Sequence, residues 1–237
     1  MSEEAADAIN HISKDENIRV LIITGAGRGF SSGIDVRQEL ARMTEGISGT
    51  MFERIIQGKP SILTIPLQLR RIDKPVIGAI NGIATGAGFT IALACDLRIA
   101  SERAQFSMAF ILRGLIPDTG GTFFLPKLVG SAKACELIFT GEIINAKEAE
   151  QLGLVNKVVC QEELMKATEE LANSLLKRSP VALKYAKRAI YKGLAETDLS
   201  SHLDYEASLN RICMDTEDFK EAVRAFMEKR EPIFKGR

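Results

Sequence analysis

Two stretches of this chain, each an apolar run ending in a glycine-rich loop, limit what it can fold into. Val20-Leu21-Ile22-Ile23-Thr24 is followed by GAGRGFSSG and Asp35, and Val76–Ile80 is followed by NGIATGAGF. An apolar, β-branched run without alternation suits a strand covered on both faces. Glycine lets the backbone turn sharply at the strand end, and Asp35 can cap the helix that the first loop feeds. Strand, loop and helix in that order, used twice, predict an α/β fold with parallel pairing.

The second stretch also needs a membrane test, because the 20 residues from Val76 to Cys95 carry no charge and contain glycines at GxxxG spacing. Pro75 and the Asn81-Gly82 pair punctuate it as a strand followed by a turn, which favours a buried strand–loop–helix over a span. The N-terminal MSEEAADAINHI is acidic and lacks the layout of a secretory signal. A soluble, cytoplasmic protein is expected.

Further along, residues 2–14 read as a helix with Ala5, Ile9 and Ile12 on one face, and residues 50–72 as largely helical, interrupted around Gly58-Lys59-Pro60. DLRIA (96–100) and AQFSM (104–108) read as short strands; the segment after Pro117 and SAKACELIF read as helices. Beyond residue 161, four amphipathic helices follow at 161–177, 180–195, 198–213 and 216–229. The expected organisation is an α/β core over 1–160 and a helical region over 161–237, packed on the core or on a neighbouring subunit.

Composition excludes several functions. Among 237 residues, 31 Lys+Arg balance 31 Asp+Glu, so no field holds nucleic acid or an anionic membrane. Cys95, Cys135, Cys160 and Cys213 are far apart with no CxxC, which indicates neither a disulfide framework nor a zinc site; they read as core fillers. With only two histidines, a His-based metal site is not expected. Asp96 and Arg98 read as structural residues at a strand start.

The first loop fails two phosphate-binding patterns: Phe30 stands where GxGxxG needs glycine, and no Gly-Lys-Ser/Thr closes a Walker loop. Gly29-Phe30-Ser31-Ser32-Gly33 does match GxSxG, the nucleophile elbow. That reading needs a later acid and histidine, and the one available, His202, sits in what looks like a helix interior. The other use of the two loops is backbone chemistry. If FSSGID (30–35) and NGIATGAGF (81–89) face each other, two N–H groups converge on one oxygen as an oxyanion hole for a carbonyl becoming an enolate. Spacing alone leaves this open against two ordinary turns.

At these residues the chain resembles the enoyl-CoA hydratase/isomerase (crotonase) family over nearly its whole length. The matching stretches are VLIITGAGRGFSSGIDV, KPVIGAINGIATGAGFTIALACDLRIAS, AQFSMAFILRGLIPDTGGTFFLPKLVG and DTEDFKEAVRAFMEKREPIFKGR. The resemblance implies a spiral of βα turns with a helical C-terminal trimerisation region, and so a homotrimer or dimer of trimers. It implies an acyl-CoA thioester as substrate, with coenzyme A part of that substrate and no separate cofactor. It implies that the oxyanion donors are the backbone N–H groups of Ile34 and of Ala87, the middle residue of Gly86-Ala87-Gly88. Arg37 matches a basic position near the coenzyme A phosphates, and Ser32, Gly33, Gly86 and Gly88 line the same entrance. Phe226, Lys229 and Arg230 match the family's closing stretch; Lys235 either approaches coenzyme A or stays in solvent. The resemblance implies that the chain is expected to start at the family's first helix, without the β-hairpin that in the family carries part of the adenine pocket.

The departures from the family narrow the chemistry. The two glutamates that hydratases use fall on Thr90 and Phe110, neither of which can act as a carboxylate base. One acid remains nearby, Asp118, in Leu115-Ile116-Pro117-Asp118-Thr119-Gly120-Gly121-Thr122. The pattern alone also suits a helix N-cap. Family isomerases carry a catalytic aspartate in this segment, and the epoxyphenylacetyl-CoA isomerase-like branch looks closest. The expected activity is isomerisation or rearrangement of an unsaturated acyl-CoA through a thioester enolate, with Asp118 as base and Phe110, beside Phe89 and Phe106, keeping water out. The alternatives are hydration of a 2-enoyl-CoA and, in another class, acyl-CoA binding without catalysis.

Overall fold

Val76–Ile80 is buried at every position and forms an inner strand of a sheet. The computed structural model describes residues 2–35, 37 and 61–237. In chain order its strands are β1 (Leu21–Thr24), β2 (Val76–Ile80), β3 (Ile83–Thr85), β4 (Leu97–Ser101), β5 (Gln105–Ser107), β6 (Ile144–Asn145) and β7 (Lys157–Val159). One sheet has the order β1-β2-β4-β7, with β2–β4 parallel from Ile77↔Leu97 to Ile80↔Ala100 and β4–β7 parallel. A second sheet has the order β3-β5-β6.

These sheets match the expected α/β class, with three differences. β1 is half-buried and exposed at Thr24 instead of covered on both faces, because it lies at the sheet edge of the described residues. β3 falls inside the segment read as a glycine loop; three residues are too few to show periodicity. β5 and β6 pair antiparallel, Phe106↔Ile144, so pairing is not parallel throughout.

Helices lie where the apolar spacing puts them. Ser2–Lys14 buries Ala6 and Ile9, with Ala5 and Ile12 half-buried beside them. Ala87–Ala94 has no exposed residue, which explains the uncharged stretch around it. No helix among the described residues is long and apolar enough to cross a membrane. Of the helical reading over 50–72, only a short turn at Ile62–Thr64 and the helix Ile65–Arg71 fall within the described residues. Gly121–Val129 and Ser131–Thr140 follow, and the later helices are Leu164–Leu176, Pro180–Gly193, Leu199–Met214 and Glu217–Glu228.

The described residues of 1–15, 22–72 and 76–168 form one compact unit, and those of 16–21, 73–75 and 169–237 a second. In the first, Asp96 Oδ2 accepts from Val76 N at 2.7 Å, and buried Arg98 donates to the Cys95 and Leu154 carbonyls, so both residues are structural. Of the cysteines, Cys95 is buried, but Cys135 and Cys160 are exposed and Cys213 half-exposed. Core filling therefore describes one of the four. Cys135 lies on the solvent side of its helix, and Cys160 follows a strand at the sheet edge.

In the second unit a buried carboxylate closes the chain end. Asp218, 2 % exposed, accepts from Ser179 Oγ at 2.7 Å, from Lys235 N at 2.7 Å and from Gly236 N at 3.1 Å. Its own N–H donates to Arg237 O at 3.0 Å. The backbone of Lys235 is thus pinned while the residue stays exposed. Phe226 is also exposed, Lys229 ends its helix in the left-handed region at φ 53°, and Arg230 pairs with Glu221 and Glu228.

Candidate active site

Both glycine loops belong to the first unit, and one side chain ties them together. Asn81, at the end of β2, accepts from Gly25 N at 3.0 Å through Oδ1 and donates through Nδ2 to Gly27 O at 3.1 Å and Gly29 O at 3.3 Å. Thr24 Oγ1 donates to Ala79 O at 2.9 Å just before the turn. No room exists for larger residues here: a Cβ on Gly82 would strike the Arg28 carbonyl, and one on Gly25 the Gly29 carbonyl.

Further on, the first loop docks on β3. Phe30 N and Ser31 N both donate to Ile83 O at 3.0 Å, and Thr85 N donates to Ser31 O at 3.0 Å. Gly88 presses so closely on Ser31 that a Cβ would strike its carbonyl. Ser31 Oγ accepts from Gly33 N at 3.2 Å, a local turn rather than a link to a histidine, so the nucleophile elbow has no support.

The loops then converge. Gly33 has φ 82° and Gly86 φ 55°, left-handed conformations that glycine adopts without strain. A Cβ on Gly33 would lie 3.2 Å from Ala87 N, so the backbone ahead of Ile34 runs against the start of the Ala87 helix. Ala87 itself is the first residue of that helix, where an N–H has no intrahelical acceptor. Its φ is negative, so alanine fits without strain. Among the described residues, neither the Ile34 nor the Ala87 amide donates to a protein acceptor.

Around this point Phe110 is nearly buried, with its ring 3.8 Å from the place a Gly86 Cβ would occupy. Thr90 is fully buried, and its hydroxyl bonds back to Gly86 O at 3.4 Å. Phe89 and Phe106 pack against each other with tilted rings, centroids 5.2 Å apart and both 1 % exposed, as ordinary core. Ser32 and Arg37 are exposed, and Asp35 Oδ1 accepts from Arg37 N at 3.1 Å in the manner of an N-cap.

Asp118 is reached from Phe110 through a turn closed by Leu115 N donating to Phe110 O at 3.2 Å. The helix after it begins only at Gly121, behind Gly120 at φ 100°, and among the described residues none of that helix's amides donates to the Asp118 carboxylate. The N-cap reading is thereby replaced. Asp118 Oδ1 is buried with no hydrogen-bond partner. Burial pushes the carboxyl above the ordinary aspartate range, opposed only by a bond from its own amide. A carboxylate so held is more basic than a solvated one and free to take a proton.

The tie that Asn81 makes between the loops is not legible in the sequence, because Asn-Gly reads first as a turn. Its signal was a polar side chain ending an otherwise apolar strand. No group of three or more metal-ligating side chains is found among the described residues.

The enoyl-CoA hydratase/isomerase family model matches residues 1–237. The short-chain-enoyl-CoA hydratase of Clostridium acetobutylicum is 41% identical over 94% of this chain and 82% of its own length. The 1,2-epoxyphenylacetyl-CoA isomerase of Escherichia coli is 36% identical over 100% of this chain and 88% of its own. The solved enoyl-CoA hydratase of Bacillus anthracis superposes with a TM-score of 0.87 at 36% identity, covering 99% of this chain and 88% of that one. The fold is crotonase-like, and the chain belongs to the enoyl-CoA hydratase/isomerase family.

Proposed function

We propose that this protein isomerises or rearranges an unsaturated acyl-CoA through a thioester enolate, with Asp118 as the single carboxylate. The thioester oxygen sits between the Ile34 and Ala87 amides. Asp118 takes a proton from a carbon next to, or conjugated with, the thioester. The C–H electron pair moves into the carbonyl, and the charge collects on the oxygen facing the two N–H groups. Fixed dipoles stabilise that charge without reorganising. Return of the proton to another carbon completes the isomerisation with atoms and electrons balanced, and no cofactor is needed beyond the coenzyme A of the substrate. Ser32, Gly33, Gly86 and Gly88 shape the entrance, Arg37 meets phosphate, Phe110 limits water, and the chains assemble as trimers or dimers of trimers.

The observation that carries this reading is Asp118, an acid with a buried, partnerless oxygen and a pKa raised by burial, in a chain that holds Thr90 and Phe110 at the two positions where the family's hydratases carry glutamate. Hydration is the second reading, favoured by the hydratase names of similar proteins such as the Clostridium acetobutylicum relative. It would have to work without a second carboxylate at Thr90 or Phe110. A panel of acyl-CoAs incubated in deuterated water and followed by mass spectrometry separates the two. Deuterium uptake without a gain of water supports isomerisation; a gain of water at comparable rate overturns it. Tight binding with neither change supports a non-catalytic binder.

A further inference from the structure

We propose that Asn81 is a positioning residue that sets the two oxyanion donors relative to each other, an inference that rests on the enolate reading above. Its backbone belongs to the segment that delivers Ala87, six residues on through β3 and Gly86. Its side chain grips the segment that delivers Ile34, at Gly25, Gly27 and Gly29. One residue therefore spans both loops at their bases, while the Ile83 carbonyl ties them again at Phe30 and Ser31.

The chemistry demanded is specific to a short carboxamide. The site offers the Gly25 N–H and, at 3.5 Å, the Thr24 hydroxyl to an acceptor, and two carbonyls to donors, a set that a carboxamide satisfies with one oxygen and one NH₂. Aspartate would keep the bond to Gly25 N but turn a carboxylate oxygen toward the Gly27 and Gly29 carbonyls. Alanine would take this partner from all three backbone groups and leave a gap where the nearly buried Asn81 side chain stood. A loop loosened there lets the Ile34 amide wander from Ala87, and an oxyanion hole acts only when both donors aim at one point.

The test is Asn81→Asp in the full-length protein, with Asn81→Ser carrying the same measurements if the first variant fails to fold. Turnover of an unsaturated acyl-CoA, dissociation of a saturated acyl-CoA, and the infrared stretch of a ¹³C-labelled thioester carbonyl are compared with the wild type. Expected are a fall in kcat of about 100-fold, dissociation changed less than about three-fold, and loss of the lowered carbonyl frequency that the wild type imposes. Leu125→Ala, a fully buried core change, controls for stability and should lower the Tm while keeping kcat and the carbonyl shift. Retention of kcat and carbonyl shift within two-fold in a folded Asn81 variant overturns the inference, and so does an equal kcat loss in Leu125→Ala. If wild-type protein shows no carbonyl shift and no deuterium uptake, the enolate reading itself fails.

Discussion

Asp118 and Asp218 are the same side chain treated in opposite ways by two regions of one chain. Asp218, in the helical unit, is covered and saturated: a hydroxyl and two amides converge on its carboxylate. Asp118, in the glycine-loop unit, is half-covered and left wanting, with Oδ1 buried and unbonded. A buried polar group with its partners in place contributes to structure; one without them costs stability. Native chains tolerate the second arrangement where reactivity is needed, and this contrast is the ground on which Asp118 rather than Asp218 is proposed as the base.

The largest expected effect breaks the chemical side. Asp118→Asn should lower kcat by about 1,000-fold or more, the scale for losing a catalytic proton-transfer group, while acyl-CoA dissociation changes less than about two-fold. Single-turnover kinetics with equilibrium binding checks this, and retained turnover would remove Asp118 from the mechanism. Next comes the structural side. Asp218→Ala removes the acceptor of the Ser179 hydroxyl and of the Lys235 and Gly236 amides and should cost about 3 kcal/mol in urea denaturation, with faster amide exchange at 235–236. An unchanged midpoint would mean that the chain end is held by something else.

Titration sharpens the comparison further. Burial raises the Asp118 pKa, so the folded protein binds this proton more readily than the unfolded chain. The resulting stabilisation is complete below the unfolded pKa and is lost as pH rises through the folded value. Asp118→Asn should therefore gain on the wild type in Tm from acid to neutral pH, and converge with it below the ordinary aspartate range. The wild-type kcat/KM should show an acid limb above that range, where Asp118 ionises. The smallest effect belongs to a third aspartate, exposed Asp35, whose one contact described above is a cap on Arg37 N. Asp35→Ala should cost roughly 1 kcal/mol or less by thermal melting.

What could be read from the chain follows from how each element is held. β2 and the Ala87 helix are legible because they are buried on every side, and so are uniformly apolar. The four late helices are legible from their spacing, because each has one wet face. β3 and β6 are held by backbone bonds to partners far away in the chain, so two or three residues sufficed and left no pattern. Asp118 could be singled out as an acid but not told from a cap, since that choice depends on a helix starting after Gly120 rather than at Thr119. The bracing role of Asn81 depends on three carbonyls and amides more than fifty positions upstream, beyond the reach of any local motif.

The convergence of Gly33 on Ala87 has a consequence for how such a protein can change over generations. The two groups that would polarise the substrate are amides, and every residue except proline brings one. Point changes at Ile34 or Ala87 therefore leave the donor in place, provided the backbone path survives. Side chains such as Thr90, Phe110 and Asp118 have no such protection, because replacing one replaces its chemistry. On the proposed mechanism the fold separates a heritable constant, thioester activation, from a variable, the fate of the activated carbon. New reactions can be explored at the second without endangering the first.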